Sequence, residues 1–149
     1  INDIYNEAVR NTTSTFDTDE KPFAEREKWF NERNGKLPIL VACENDVVLG
    51  WASLSLYSDK KAYECTTELS IYIHENHRGK GIGKLLMQRL LDAGKSKNIH
   101  SILARISVES EASIELHKKF GFVHAGTFKE AGYKFNRFID VVIYQYMYK

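Results

Sequence analysis

The chain has 149 residues, 43% apolar and 28% charged, with 21 Lys and Arg against 20 Asp and Glu for a net charge of +1. That length argues for one domain over residues 1–149, large enough to bury about 70% of the surface its unfolded chain exposes. The balanced charge excludes bulk attraction to nucleic acid or an anionic membrane, no apolar run nears the roughly 20 residues of a membrane span, and no signal peptide pattern is seen. Cys43 and Cys65 both sit in strand-like runs. A single disulfide between them is one reading; they are expected instead to be buried free thiols of a cytoplasmic protein, and with no ligand spacing around them no metal is expected.

Asp3–Arg10 reads as a first helix with Ile4 and Ala8 facing inward. Asn11–Asp19 is a polar loop with one aromatic, Phe16, which either overlies a site or anchors the loop at the core edge. Pro22 suits the first turn of a second helix, which Phe23, Arg26, Trp29, Phe30 and Arg33 carry to an Asn34–Gly35 stop. Ile39–Cys43 and Val47–Leu56 read as strands joined at Glu44–Asp46, followed by a charged loop over Ser58–Ala62. Tyr63–Ile73 reads as a long strand in which Leu69, Ile71 and Ile73 alternate with Ser70, Tyr72 and His74.

Beyond a break at Glu75–His77, the residues Ile82, Leu85, Leu86, Leu90 and Ala93 mark one face of a helix. Ser101–Ser107 is a strand and Ser110–Lys119 a helix stopped by Gly121. Val123–Phe128 and Arg137–Met147 form a last strand pair separated by Lys129–Asn136. The aromatic tail Tyr144–Tyr148 is a candidate interface strand, or else an edge strand that needs covering. Early consecutive strands followed by alternating helices and strands predict an α/β (α+β) fold, a mixed central sheet flanked by helices.

Between strand and helix stands Arg78-Gly79-Lys80-Gly81-Ile82-Gly83. Glycines at alternate positions let backbone approach a ligand closely, and the first N–H groups of a helix have no partner within it. With the helix dipole and the charges of Arg78, Lys80 and Lys84 they make an anion site suited to a pyrophosphate. The alternative is a flexible, solvated start to the helix. A Walker loop is excluded because Leu85 follows Gly83-Lys84, and a dinucleotide fingerprint because Lys84 stands where its third glycine belongs.

The order strand, loop, Arg78-x-x-Gly81-x-Gly83, helix resembles the acetyl-CoA signature of the GNAT superfamily of N-acetyltransferases. The resemblance runs over nearly the whole chain and is nearest to the phosphinothricin acetyltransferase subgroup. Its other anchors are Ile4–Val9, Thr66-Thr67-Glu68, Ser113–His117 with Gly121-Phe122, and Ala131–Lys134 with Asp140-Val141. It implies the GNAT fold, with the strand that usually precedes the first helix missing from this sequence. It implies acetyl-CoA as co-substrate, held by Ile71, Tyr72 and Ile73 along a strand splayed by a β-bulge and by Arg78, Gly79, Lys80, Gly81, Ile82 and Gly83. Ser110, Ser113 and His117 join them, Ser110 standing where many members carry an asparagine. A homodimer is implied as well.

Transfer of acetyl to an amine needs the amine deprotonated, the thioester held in line and the developing oxyanion met by donors. The resemblance makes Glu68 the general base, and an apolar strand environment would raise a carboxylate pKa toward neutrality. Its other reading is a strand carboxylate paired to a cation or solvated. His117 is open between thiolate acid, cofactor contact and packing. Phe16, Tyr63 and Tyr133 are expected around the acceptor.

Two departures matter. Subgroup histidines are replaced by Phe135 and Ile139, and Glu64 stands where some members hold an arginine for the substrate carboxylate. The expected activity is acetylation of the primary amine of a small molecule, an amino-acid analogue such as phosphinothricin or methionine sulfoximine among the candidates. The alternatives are acetylation of a protein N-terminus or lysine, and a catalytically idle acyl-CoA-binding module.

Overall fold

The computed structural model describes residues 1–33 and 35–149. Helices α1 (Asn2–Asn11) and α2 (Phe23–Asn31) come first, then strands β1 (Ile39–Glu44), β2 (Val47–Leu56) and β3 (Thr66–Ile73). Helix α3 (Ile82–Lys95), β4 (Ser101–Ser107), α4 (Glu111–Lys119), β5 (Val123–Lys134) and β6 (Arg137–Met147) complete the chain. The sheet order is β1-β2-β3-β4-β6-β5, antiparallel throughout except for the parallel pair β3 and β4. The expected mixed sheet flanked by helices is what the chain forms.

Alternation along β2 assigns its two faces. Ala52 and Leu54 point to a core built with Leu86, Met87, Leu90 and Leu91 of α3, while Trp51 turns the other way onto Tyr5 of α1 and Trp29 of α2. Gly94 lets α3 approach: a Cβ there would lie 3.1 Å from Leu54 Cδ1 and 2.4 Å from the Tyr148 hydroxyl, which donates to Leu91 O. Two hairpins turn on residue pairs with positive φ, Asn45-Asp46 and Phe135-Asn136, the backbone a two-residue turn needs to match strand twist.

Several expectations are corrected. The strand expected from Tyr63 begins at Thr66, because Lys61–Tyr63 close a turn of 3₁₀ helix. Pro22 precedes α2 rather than opening its first turn, and none of that helix's residues is buried; Phe23 and Phe30 are exposed. Of the expected Asn34–Gly35 stop, Asn34 lies outside the described residues, and α2 has ended at Asn31. β5 runs through the segment expected as a loop, up to Lys134. Tyr144–Met147 of the tail lie in β6, an interior strand that pairs with β4 up to Met147 and with β5 up to Gln145, so the tail is not an edge strand of the sheet. Cys43 is exposed and Cys65 half-buried, both free.

Candidate active site

β3 and β4 pair only at Thr66–Ser101, Thr67–Ile102 and Glu68–Leu103. Beyond Glu68 they part. Leu69–Ile73 stays bonded to β2 on one side, and Ala104–Ser107 to β6 on the other. Each strand therefore presents unpaired peptide groups to the gap, and buried peptide groups require partners. The register of β3 against β2 is unbroken, so the splay comes without the expected bulge. The gap opens a cleft of about 1450 Å³, lined by both strand edges, the glycine turn, the first turns of α4, the loop after α1, and β5.

The glycine turn closes one end. His74 Nδ1 accepts the Asn76 N–H, setting a 3₁₀ turn over Glu75–His77. Gly79 and Gly81 then take φ of +75° and +86°, and nothing lies within 4 Å of where a Cβ on either would stand. Gly81 caps α3, whose first-turn N–H groups have no partner in the helix. Gly83 serves packing as well, since a Cβ there would lie 3.3 Å from Leu116 Cδ2 of α4. Arg78, expected as a free cation, is committed: Nη2 pairs with the buried Glu7 at 2.5 Å and Nε donates to Ile73 O at 3.2 Å. It ties α1 to the turn. Lys84 lines the cleft, whereas Lys80 is exposed and does not.

Glu68 sits at the apex of the parting strands. Both its carboxylate oxygens accept from Arg105, Nε to Oε1 at 2.5 Å and Nη2 to Oε2 at 2.8 Å. The apolar setting expected for Glu68 is therefore replaced by a bidentate ion pair. Leu103 lies opposite Glu68, so Arg105 is its diagonal neighbour on the same face of the sheet. The pair holds the Arg105 guanidinium above its ordinary pKa. Arg105 was not anticipated; a lone cation in the apolar run Ile102–Ile106 was its one signal.

Phe16, Tyr72, Phe128, Tyr133 and Phe135 form the aromatic side of the cleft, with Gly132 among them. The loop bearing Phe16 is tied down from three directions. Thr13 Oγ1 donates to Ser107 Oγ at 2.9 Å, Lys134 Nζ donates to the carbonyls of Thr12 and Thr15 at 2.7 and 2.8 Å, and the Tyr5 hydroxyl donates to Asp17 at 2.5 Å. Burial pushes the Lys134 ammonium down and the Tyr5 and Tyr72 phenols up. A bulge in β5 sets Lys129–Ala131 against Asp140 alone; Asp140 accepts from Lys129 Nζ and the Glu130 N–H, both at 2.8 Å. Asp140 is held below the usual carboxylate range by Lys129 first, then by that N–H. At the rim Arg137 forks onto Glu109 at 2.9 and 2.7 Å, lowering the Glu109 pKa.

Tyr63 is not brought to the cleft; it packs edge-on against Tyr57. Ser110, Ser113 and His117 do line it, at the start and inner face of α4. His117 is 2% exposed. Its Nδ1 stands 2.7 Å from Ser113 O, which can only accept, so Nδ1 carries the proton and the buried Nε2 is an acceptor without a partner. Desolvation lowers the imidazole pKa, keeping the ring neutral. Among the described residues no group of three or more His, Cys, Asp or Glu is placed to hold a metal, and no helix is long and apolar enough to cross a membrane.

The parted strands, the glycine turn capping a helix and the carboxylate at the apex frame a single cleft. The acetyltransferase (GNAT) family profile matches residues 1–122. A phosphinothricin N-acetyltransferase of Streptomyces coelicolor is 39% identical over 149 residues, covering 97% of this chain and 87% of that protein. An L-methionine sulfoximine/L-methionine sulfone acetyltransferase of Pseudomonas aeruginosa is 36% identical, covering 95% and 84%. Among solved structures, that of yncA of Salmonella typhimurium, assigned as an acetyltransferase and solved with its cofactor acetyl-CoA, superposes with a TM-score of 0.95 at 33% identity over 98% of this chain and 85% of that one. The chain belongs to the GNAT family of acetyltransferases, alongside the phosphinothricin acetyltransferases, and is an N-acetyltransferase.

Proposed function

We propose that the protein transfers acetyl from acetyl-CoA to the amino group of a small amino-acid-type acceptor, of the kind represented by phosphinothricin or methionine sulfoximine. The observation that carries this reading is the separation of β3 from β4 at Glu68, with the glycine turn at one end of the gap and aromatic walls at the other. The unpaired edge at Ile71, Tyr72 and Ile73 suits the amides of a pantetheine arm. The N-terminus of α3 with Gly79–Gly83 suits its pyrophosphate, and Ser110 and Ser113 supply polar contacts along α4, with His117 packed behind them. Phe16 and Tyr133 bound the acceptor; Tyr63 has no part in it.

Acetyl-CoA supplies the acetyl group as a thioester: the acceptor nitrogen bonds to its carbonyl carbon, the carbon–sulfur bond breaks, and the CoA thiolate leaves with the second proton that the nitrogen sheds on becoming an amide. Glu68 accepts a proton from the acceptor's ammonium, which frees the nitrogen lone pair for attack.

The two free cysteines fit a reducing, cytoplasmic setting. A homodimer is part of this reading; β5 is a free edge whose exposed Val123 and Phe128 invite a second copy, and sedimentation tests it. The activity is tested by following thiol release from acetyl-CoA against free amino acids, phosphinothricin, methionine sulfoximine and short peptides. Release with amino-acid analogues supports the proposal. Release only with peptides turns it to protein acetylation, and none above hydrolysis to an idle acyl-CoA-binding module.

A further inference from the structure

Two ionic forks face the cleft, Glu68–Arg105 and Glu109–Arg137. Of the other guanidiniums and ammoniums along it, Arg78 is taken by Glu7, Lys84 belongs to α3 beside the glycine turn, and Lys119 to the end of α4. Only Arg105 stands beside the apex carboxylate. Its side chain is 60% exposed against 23% for Glu68, so one face of the fork remains open to the cleft. An α-amino acid presents the mirror of this pair, an ammonium and a carboxylate on one carbon.

We propose that the acceptor inserts as a zwitterion into the Glu68–Arg105 pair, its carboxylate taking over the Arg105 fork while its ammonium is received by Glu68. This rests on the amino-acid reading above and deepens it, by making Arg105 the residue that selects acceptors with a carboxylate. The exchange conserves charge pairing: a bidentate guanidinium–carboxylate contact is broken and an equivalent one made, so the insertion leaves no uncompensated ion. It also resolves a conflict in the resting geometry. Glu68 with both oxygens committed to Arg105 is poorly placed to receive a proton, and arrival of the acceptor's carboxylate releases it. Planarity matters here, because a lysine in place of Arg105 would offer a point charge but no fork.

The test compares a carboxylate-bearing acceptor, methionine sulfone, with its α-carboxamide, using wild type, Arg105→Gln and Arg105→Lys. Losing a charge-assisted contact is expected to lower kcat/KM for the acid on the order of 10–100-fold. The loss falls chiefly on KM, the carboxamide changes by less than about threefold, and Arg105→Lys recovers part of the loss. Unchanged acetyl-CoA affinity by calorimetry reports that the variants remain folded. Equal losses on acid and carboxamide, or no loss on either, overturn the proposal. Glu68→Gln separates the two ideas. If it turns over normally while Arg105→Gln still discriminates acid from amide, the base assignment falls and the Arg105 role stands. A wild type that acetylates no carboxylate-bearing amine removes both.

Discussion

The ring of Phe16 occupies the space a side chain on Gly132 would need: a Cβ there would fall 2.1 Å from Phe16 Cε1. Gly132→Ala therefore must displace Phe16 or the tied loop that carries it. Overpacking of this kind costs about 1–3 kcal/mol, which thermal melting will register, and acceptor KM is expected to rise more than acetyl-CoA affinity falls. In the double variant with Phe16→Ala the stability loss should be less than additive, since the clash has been removed.

Gly81 holds the left-handed conformation at the N-cap of α3, open to the cleft. Gly81→Asp adds bulk and negative charge where the pyrophosphate is proposed to sit. Aspartate is tolerated in this backbone region and at a helix N-terminus, so the chain should stay folded. Calorimetry should find acetyl-CoA binding abolished. Affinity equal to wild type would remove the anion-site reading.

Glu68→Gln preserves shape but cannot take a proton. Turnover at neutral pH is expected to fall on the order of 10²–10⁴-fold, with acetyl-CoA affinity unchanged. The deficit should narrow as pH rises and more of the acceptor arrives as free amine. Undiminished turnover across the pH range would assign the base elsewhere.

His117 sets a pH dependence of stability. Burial holds its pKa below the ordinary histidine value, about 6.5 in the unfolded chain. Between those two values the unfolded chain binds the proton and the folded one does not, so stability falls as pH drops below about 6.5 and levels off beneath the folded pKa. His117→Gln should flatten this part of the profile. Parallel slopes for variant and wild type in denaturant melts from pH 7 to 5 would show that another group governs it.

Phe135 illustrates how far local signals reach. Its place between two strand-like runs marked a connection, yet its φ of +52° is one that bulky residues rarely adopt, and of the turn pair only Asn136 is a residue type suited to positive φ. The Asn45-Asp46 turn was legible because its side chains suit positive φ. The glycine turn was legible for the same reason, since three glycines beside a helical pattern describe a backbone requirement within six residues.

The sequence by itself determined most of the elements, the strand–turn–helix unit and, through several ordered blocks together, the family, while the stripe read along α3 held Leu86 and Leu90 in the core but included the exposed Leu85 and missed the buried Met87 and Leu91. What it determined depends on periodicity and backbone preference, which act between residues a few positions apart. Only the tertiary structure decided which side chains meet. Glu68 and Arg105 are 37 positions apart, Arg78 and Glu7 are 71, and Lys134 and Thr12 are 122. A period-two pattern tells a strand's two faces apart but does not name its neighbours, so it could not place β6 in the interior or show β3 leaving β4 at Glu68. Strand order and splay come from how helices pack across the whole sheet, and they turned a carboxylate expected among apolar residues into one half of an ion pair.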